Sequence, residues 1–194
     1  MLAIPNRKGL VLQERVIEDP VLAQRYIFRD AVAEDGVDVL QLETWVQPGG
    51  GVLIPHVHPQ MEERFKMLEG QVSFLVGRKW IAKGAGEEAV VARGVRHAYR
   101  NTGREVAHFM CETRPRSQEL QQFLEDAAGL NRAGKLTKRG VPKSLSGLLA
   151  GAVMLQHYRE MVVFTFPPPF LQRAVMGPLA RVGERRGYRA GSFG

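Results

Sequence analysis

Gly50-Gly51-Val52-Leu53-Ile54-Pro55-His56-Val57-His58-Pro59-Gln60-Met61-Glu62-Glu63 is the stretch on which the reading of this chain turns. Val52 to His58 reads as a strand, and residues two apart on a strand point to one face, so His56 and His58 project together. Pro59 cannot continue a central ladder and suits a turn, which would return Glu63 beside the pair on a neighbouring strand. Two imidazoles and a carboxylate converging on one point make a ligand set for a divalent transition metal. Glu62 competes with Glu63 for that role. Alternation decides for Glu63, because its register turns Phe65 and Met67 inward and leaves Glu62, Arg64 and Lys66 to water. His97, on a later strand-like run, is available as a fourth ligand.

Two stretches carry a resemblance to a known family. Gly50 to Gly70 reads Gly, five residues, His56-x-His58, four residues, Glu63, six residues, Gly70. Gly86 to Asn101 reads Gly86, five residues, Ala92-x-Gly94, two residues, His97, three residues, Asn101. Together they resemble the two cupin motifs, over roughly residues 36 to 114. Ala92 stands where cupins usually have proline, which weakens the expectation of a turn there and leaves the metal ligands untouched. The resemblance implies an all-β core, a jelly-roll (double-stranded β-helix) barrel enclosing a pocket. It also implies one divalent metal ion (Fe, Mn, Ni, Zn, Co or Cu) on His56, His58, Glu63 and His97. Such a fold hosts many chemistries. The expected function is a metal-dependent, dioxygenase-type enzyme acting on a small aromatic or enolic molecule. A non-enzymatic small-molecule or metal-binding protein is the alternative, and a sugar isomerase or epimerase ranks third, because the barrel half has no evident basic cluster beside the ligands.

Strand candidates fill the first part of the chain: 25–33, 37–46, 52–58, 63–68, 71–76, 78–83, 88–92, 96–100 and 105–113. Glu69-Gly70 reads as a hairpin turn. Phe65, Met67, Phe74 and Trp45, with Val95, Tyr99 and Asn101 on the face of His97, are candidates for the pocket lining. Glu43 and Glu112 lie on strands that could face inward, and no second acid or base stands out. His108 and His157 read as ordinary core or surface residues.

Character changes at Arg114-Pro115-Arg116, which divides the chain into a barrel with its N-terminal strands (1–114) and a helical extension (115–194). Ser117 is a plausible N-cap for a helix through Leu130, and Ser144 or Ser146 for one over 144–161. A third is expected over 170–186, interrupted at Gly177-Pro178. Val162, Val163 and Phe164 extend the apolar surface of the second helix. An extension this short must pack on its barrel, on a partner or on a membrane. A homodimer is expected, with interfacial membrane contact as its rival.

The formal charge of +7 is uneven. Residues 1–113 hold 14 Lys/Arg against 15 Asp/Glu, a net of −1, and residues 114–194 hold 13 against 5, a net of +8. The basic residues are spread among apolar ones, so no nucleic-acid module is expected. A single cysteine, Cys111, excludes an intrachain disulfide and suits a reducing cytoplasm. The first residues show no basic-then-apolar leader, so no signal peptide is expected.

Overall fold

Along the strand Glu62–Glu69, Glu63, Phe65 and Met67 are buried while Arg64 and Lys66 are exposed. The same alternation runs along the strands 88–91 and 107–114, which turn one row of side chains into a space between two antiparallel sheets. The computed structural model describes residues 15–33 and 35–194. Its strands are β1 (Arg15–Asp19), β2 (Gln24–Val32), β3 (Asp38–Val46), β4 (His56–Val57), β5 (Glu62–Glu69), β6 (Gln71–Val76), β7 (Lys79–Gly84), β8 (Glu88–Val91), β9 (His97–Arg100), β10 (Ala107–Arg114) and β11 (Val163–Phe164). One sheet runs β1-β2-β3-β10-β5-β8 and the facing sheet β11-β4-β9-β6-β7. Between them lies an aromatic core, with Phe65 packed on Phe74 at 4.9 Å and Tyr99 set edge-on to Phe109 at 5.4 Å. The expected all-β core with three C-terminal helices is therefore the architecture observed.

Three local expectations of the barrel are corrected, and one strand is added. The ligand strand is not Val52–His58 but only His56–Val57, because Pro55 and Pro59 bound it and deny it further ladder donors. Glu63 does not return on a neighbouring strand of the same sheet; β5 belongs to the facing sheet. For the same reason Glu69-Gly70 is no hairpin turn. It carries the chain across from β5 in one sheet to β6 in the other, whose hairpin partner is β7. The edge strand Arg15–Asp19 was not foreseen, since its Val-Ile pair is too short to declare a period.

The turn before His97 forms without proline. Val95 N–H donates to the Ala92 carbonyl at 3.1 Å, and Gly94 takes the positive φ (71°) that the turn needs.

The helices are α1 (Gln118–Arg132), α2 (Leu145–His157) and α3 (Pro169–Arg185). Ser117 Oγ caps α1 by accepting from Leu120 N–H, and Ser144 Oγ caps α2 by accepting from Gly147 N–H. The third helix is not interrupted at Gly177-Pro178; it runs through Pro178, whose missing donor costs one helical bond on a half-exposed face. Nor does 162–164 extend the helix surface. Val163 and Phe164 form β11 and pair with Val57 and His56, as their β-branched and aromatic character favours. Asp126 ties the extension together: buried in α1, it accepts from the Tyr158 hydroxyl and from the backbone N–H groups of Gly191 and Phe193. No helix among the described residues is long and apolar enough to cross a membrane.

Candidate metal centre

Pairing of β4 with β9 sets His56 opposite His97, and the two rings lie 4.2 Å apart. His58 follows two residues on, with its ring 5.0 Å from that of His56 and 5.2 Å from that of His97. All three are buried, and one nitrogen from each lies within 4.8 Å of the other two. Glu63 reaches the group from the facing sheet. One carboxylate oxygen is 2.8 Å from His97 Nε2, and the other is 3.7 Å from His58 Nε2.

Each ring is oriented by a backbone carbonyl. His56 Nδ1 lies 2.9 Å from the Ile54 oxygen, His58 Nδ1 2.9 Å from that of Met161, and His97 Nδ1 3.0 Å from that of Val95. A carbonyl can only accept, so each Nδ1 carries the proton and each Nε2 lone pair is left to the interior. The electrostatics agree for His56 and His58. Burial, reinforced by the other two imidazoles, pushes His56 down to about 3. Burial also lowers His58, against the pull of Glu63. For Glu63 burial pushes upward, but the His58 and His97 imidazoles outweigh it and hold the carboxyl at about 2. For His97 burial pushes downward, but contact with Glu63 outweighs it and the ring is raised.

Three neutral nitrogens and one carboxylate make a donor set suited to a divalent transition ion. One further observation fits. His97 Nε2 is buried without a hydrogen-bond partner, although a Glu63 oxygen lies 2.8 Å from it. A cation shared by the two would satisfy both atoms. The buried His56, His58 and His97 cluster can thus hold a metal ion, with Glu63 within reach of the same point.

The cluster opens on a cavity of about 440 Å³. Of the sequence-proposed lining residues, Phe65 and Tyr99 border it. Met67 and Phe74 are core instead, and Val95 is half-buried away from it. Asn101 clamps a turn, its side-chain amide donating to the Val46 and Glu105 carbonyls. Trp45 is on the outer face of β3, where it stacks on His108 at 4.4 Å. Glu43 shares that face, held by Arg29 and His108, and Glu112 is paired with Arg114. Neither carboxylate faces the cavity. His157 is exposed, beside Tyr158.

Sequence reasoning missed the share of the C-terminal extension. Met161 orients His58, and the segment 136–142, Leu155, Val162 and Phe164 wall the cavity. A carbonyl acceptor has no side-chain signature. The run Val162-Val163-Phe164, read as a strand, was the available signal.

Residues 43–111 match the family model described as Cupin domain. No curated protein matches the sequence. Among solved structures, a protein of Thermus thermophilus is 24% identical, with 46% of this chain and 85% of its own covered and a TM-score of 0.40. An RmlC-like cupin from Shewanella frigidimarina is 14% identical, with 60% of this chain and 96% of its own covered and a TM-score of 0.47. The formate complex of oxalate decarboxylase from Lactobacillus farciminis is 20% identical, with 56% of this chain and 35% of its own covered and a TM-score of 0.45.

Proposed function

Since this chain is a cupin-domain protein, we propose that it binds one divalent transition metal ion through His56, His58, Glu63 and His97 and acts as a dioxygenase-type enzyme on a small aromatic or enolic molecule. The observation that carries the reading is the convergence of three carbonyl-oriented imidazoles and a buried carboxylate on a cavity bordered mainly by apolar side chains. Bound there, the ion supplies a Lewis acid and, if redox-active, a path for electrons between an organic substrate and dioxygen. The chain's own residues do the rest. The Ile54, Met161 and Val95 carbonyls hold the rings in one orientation, so that little reorganisation accompanies binding. Leu42, Val52, Ile54, Phe65 and Phe164 keep bulk water away and favour a flat or apolar substrate over a polyhydroxylated sugar.

A second reading, a non-enzymatic binding protein, draws on the scarcity of acid–base groups in the wall. Burial raises Tyr26, Tyr99 and Cys111, so all three stay protonated near neutrality. Oxygen uptake by the Fe(II)- or Mn(II)-loaded protein, measured against phenols and diketones, separates the two. Turnover dependent on His56 and His97 is expected; tight binding without uptake would assign the binding role.

The extension leaves Phe166 and Phe170 81% and 75% exposed, with Leu171 and Val175 half-exposed beside them. We infer that this face is covered in a homodimer, in the cytoplasm, where the buried Cys111 stays a free thiol. The barrel (1–114) and extension (115–194) then act as one unit, joined by β11. Sedimentation equilibrium should give a dimer. A monomer that co-sediments with anionic vesicles would assign the face to a membrane instead.

A further inference from the structure

Tyr26 is the residue that the metal centre leaves unexplained. It stands on β2, points into the barrel and borders the cavity, yet it is only 3% exposed. Its hydroxyl has no hydrogen-bond partner among the described residues. The neighbouring hydroxyls spend their protons elsewhere, and Gln24 Nε2, two residues before it on β2, is likewise unpartnered. The Tyr99 hydroxyl donates to Gln24 Oε1 at 2.6 Å, and Thr44, its register partner on β3, turns its hydroxyl to the Leu42 carbonyl at 3.3 Å. Asp19, also at the cavity, accepts from the Val21 and Leu22 N–H groups and from Asn131. A buried hydroxyl left unmet is unfavourable, and a fold retains one where something arrives to meet it.

We propose that Tyr26 is a substrate-binding residue, donating its hydroxyl hydrogen bond to an acceptor oxygen of a mainly apolar molecule, an aryl or alkyl ketone, ester or enol, held in the cavity beside the metal centre. This rests on reading that cavity as the small-molecule site. The hydroxyl is a dependable donor, because burial and the Asp19 charge raise its pKa and outweigh the opposite pull of the nearby Tyr99 hydroxyl. Tyr26 and the proposed ligands His56, His58, Glu63 and His97 line the same cavity. Elsewhere on the cavity wall Val52, Ile54, Leu155, Val162 and Phe164 offer only apolar contact. One donor in such a wall orients a ligand and selects for an oxygen at one place on it. The volume of about 440 Å³ lies within the range of small-molecule pockets.

The test uses two probes of nearly equal shape, acetylnaphthalene and ethylnaphthalene, titrated calorimetrically into the full-length protein as purified and again after chelation. The ketone should bind about fivefold tighter than the hydrocarbon in both states, the net worth of one buried hydrogen bond. Tyr26→Phe should abolish that preference by weakening the ketone alone. In a co-crystal the ketone oxygen should lie within hydrogen-bond distance of Tyr26 Oη, a readout that needs no variant. A preference that vanishes on chelation would give it to the metal, and equal binding of the two probes, or of neither, would overturn the proposal. A protein that takes up no divalent ion when offered one, yet prefers the ketone through Tyr26, would sink the metal reading and leave this one standing.

Discussion

Replacing Asp126 by alanine should destabilise the protein far more than its place outside the proposed metal centre suggests. The carboxylate is 1% exposed and accepts three hydrogen bonds: from Tyr158 Oη at 3.1 Å, Gly191 N at 2.6 Å and Phe193 N at 3.0 Å. Hydrogen bonds to a charged group are worth roughly 1.5–3 kcal/mol each. The three do not simply add. Water can reach the partly buried Gly191 and Phe193 amides, and removing the carboxylate also relieves its own desolvation. Tyr158, itself 1% exposed, has no such recourse. A net loss of about 2–4 kcal/mol follows, which for a chain of this size lowers Tm by roughly 4–16 °C. The loss should spread to the metal centre. The Tyr158 carbonyl accepts from Met161 N at 3.0 Å, and the Met161 carbonyl orients His58. Metal affinity should therefore fall, by less than about tenfold. Urea unfolding of wild type, Asp126→Ala, Tyr158→Phe and the double variant measures the coupling. A loss under about 1 kcal/mol for Asp126→Ala, or additivity of the two single changes, would refute the reasoning.

Gly51→Ala should destabilise by more than about 3 kcal/mol in urea unfolding, because the site has φ +131° and a Cβ there would lie 2.4 Å from the Tyr99 carbonyl oxygen. The metal-free protein should lose stability in acid. His56 sits at about 3 when folded against an ordinary 6.5, so the unfolded chain binds the extra proton between those values and unfolding eases as pH falls from 6.5 toward 3. His58 is lowered too and adds to this, while His97 is raised and opposes it by favouring the folded state at low pH. His56→Leu should flatten that acid limb, and an unchanged limb would remove His56 as its cause. Deleting 144–194 strips β11, α2 and the Met161 carbonyl from the barrel, so the truncated chain should aggregate in sedimentation analysis; a soluble, monodisperse product would count against a packed extension.

The inward face of β5 was legible because alternation is a local property: Glu63, Phe65 and Met67 could be separated from Arg64 and Lys66 by period alone. The first helix cap was equally local, a serine three residues ahead of the amide it binds. His97 was placed by resemblance, since nothing within its own strand names its partner. Errors arose where a local signal admits two long-range outcomes. Glu69-Gly70 has the composition of a hairpin turn, but a turn does not say which sheet the next strand joins. Trp45 could be assigned to a strand and not to a face, because Glu43, Trp45 and their neighbours alternate with either side apolar enough. Pro178 has the local chemistry of a helix break, and packing of α3 on α2 overrides it. The extension's part in the site was hidden for a different reason. Its contributions are a backbone carbonyl and apolar wall, and neither is distinguishable in sequence from ordinary packing.

Elemental analysis of the purified protein, beside its His56→Ala/His58→Ala variant, tests the metal centre most directly. The account predicts close to one divalent transition ion per chain in the wild type and none in the folded double variant, with His97→Ala also sharply weakened. Full metal content in the double variant, or a wild type that takes up no such ion when offered one, would contradict it.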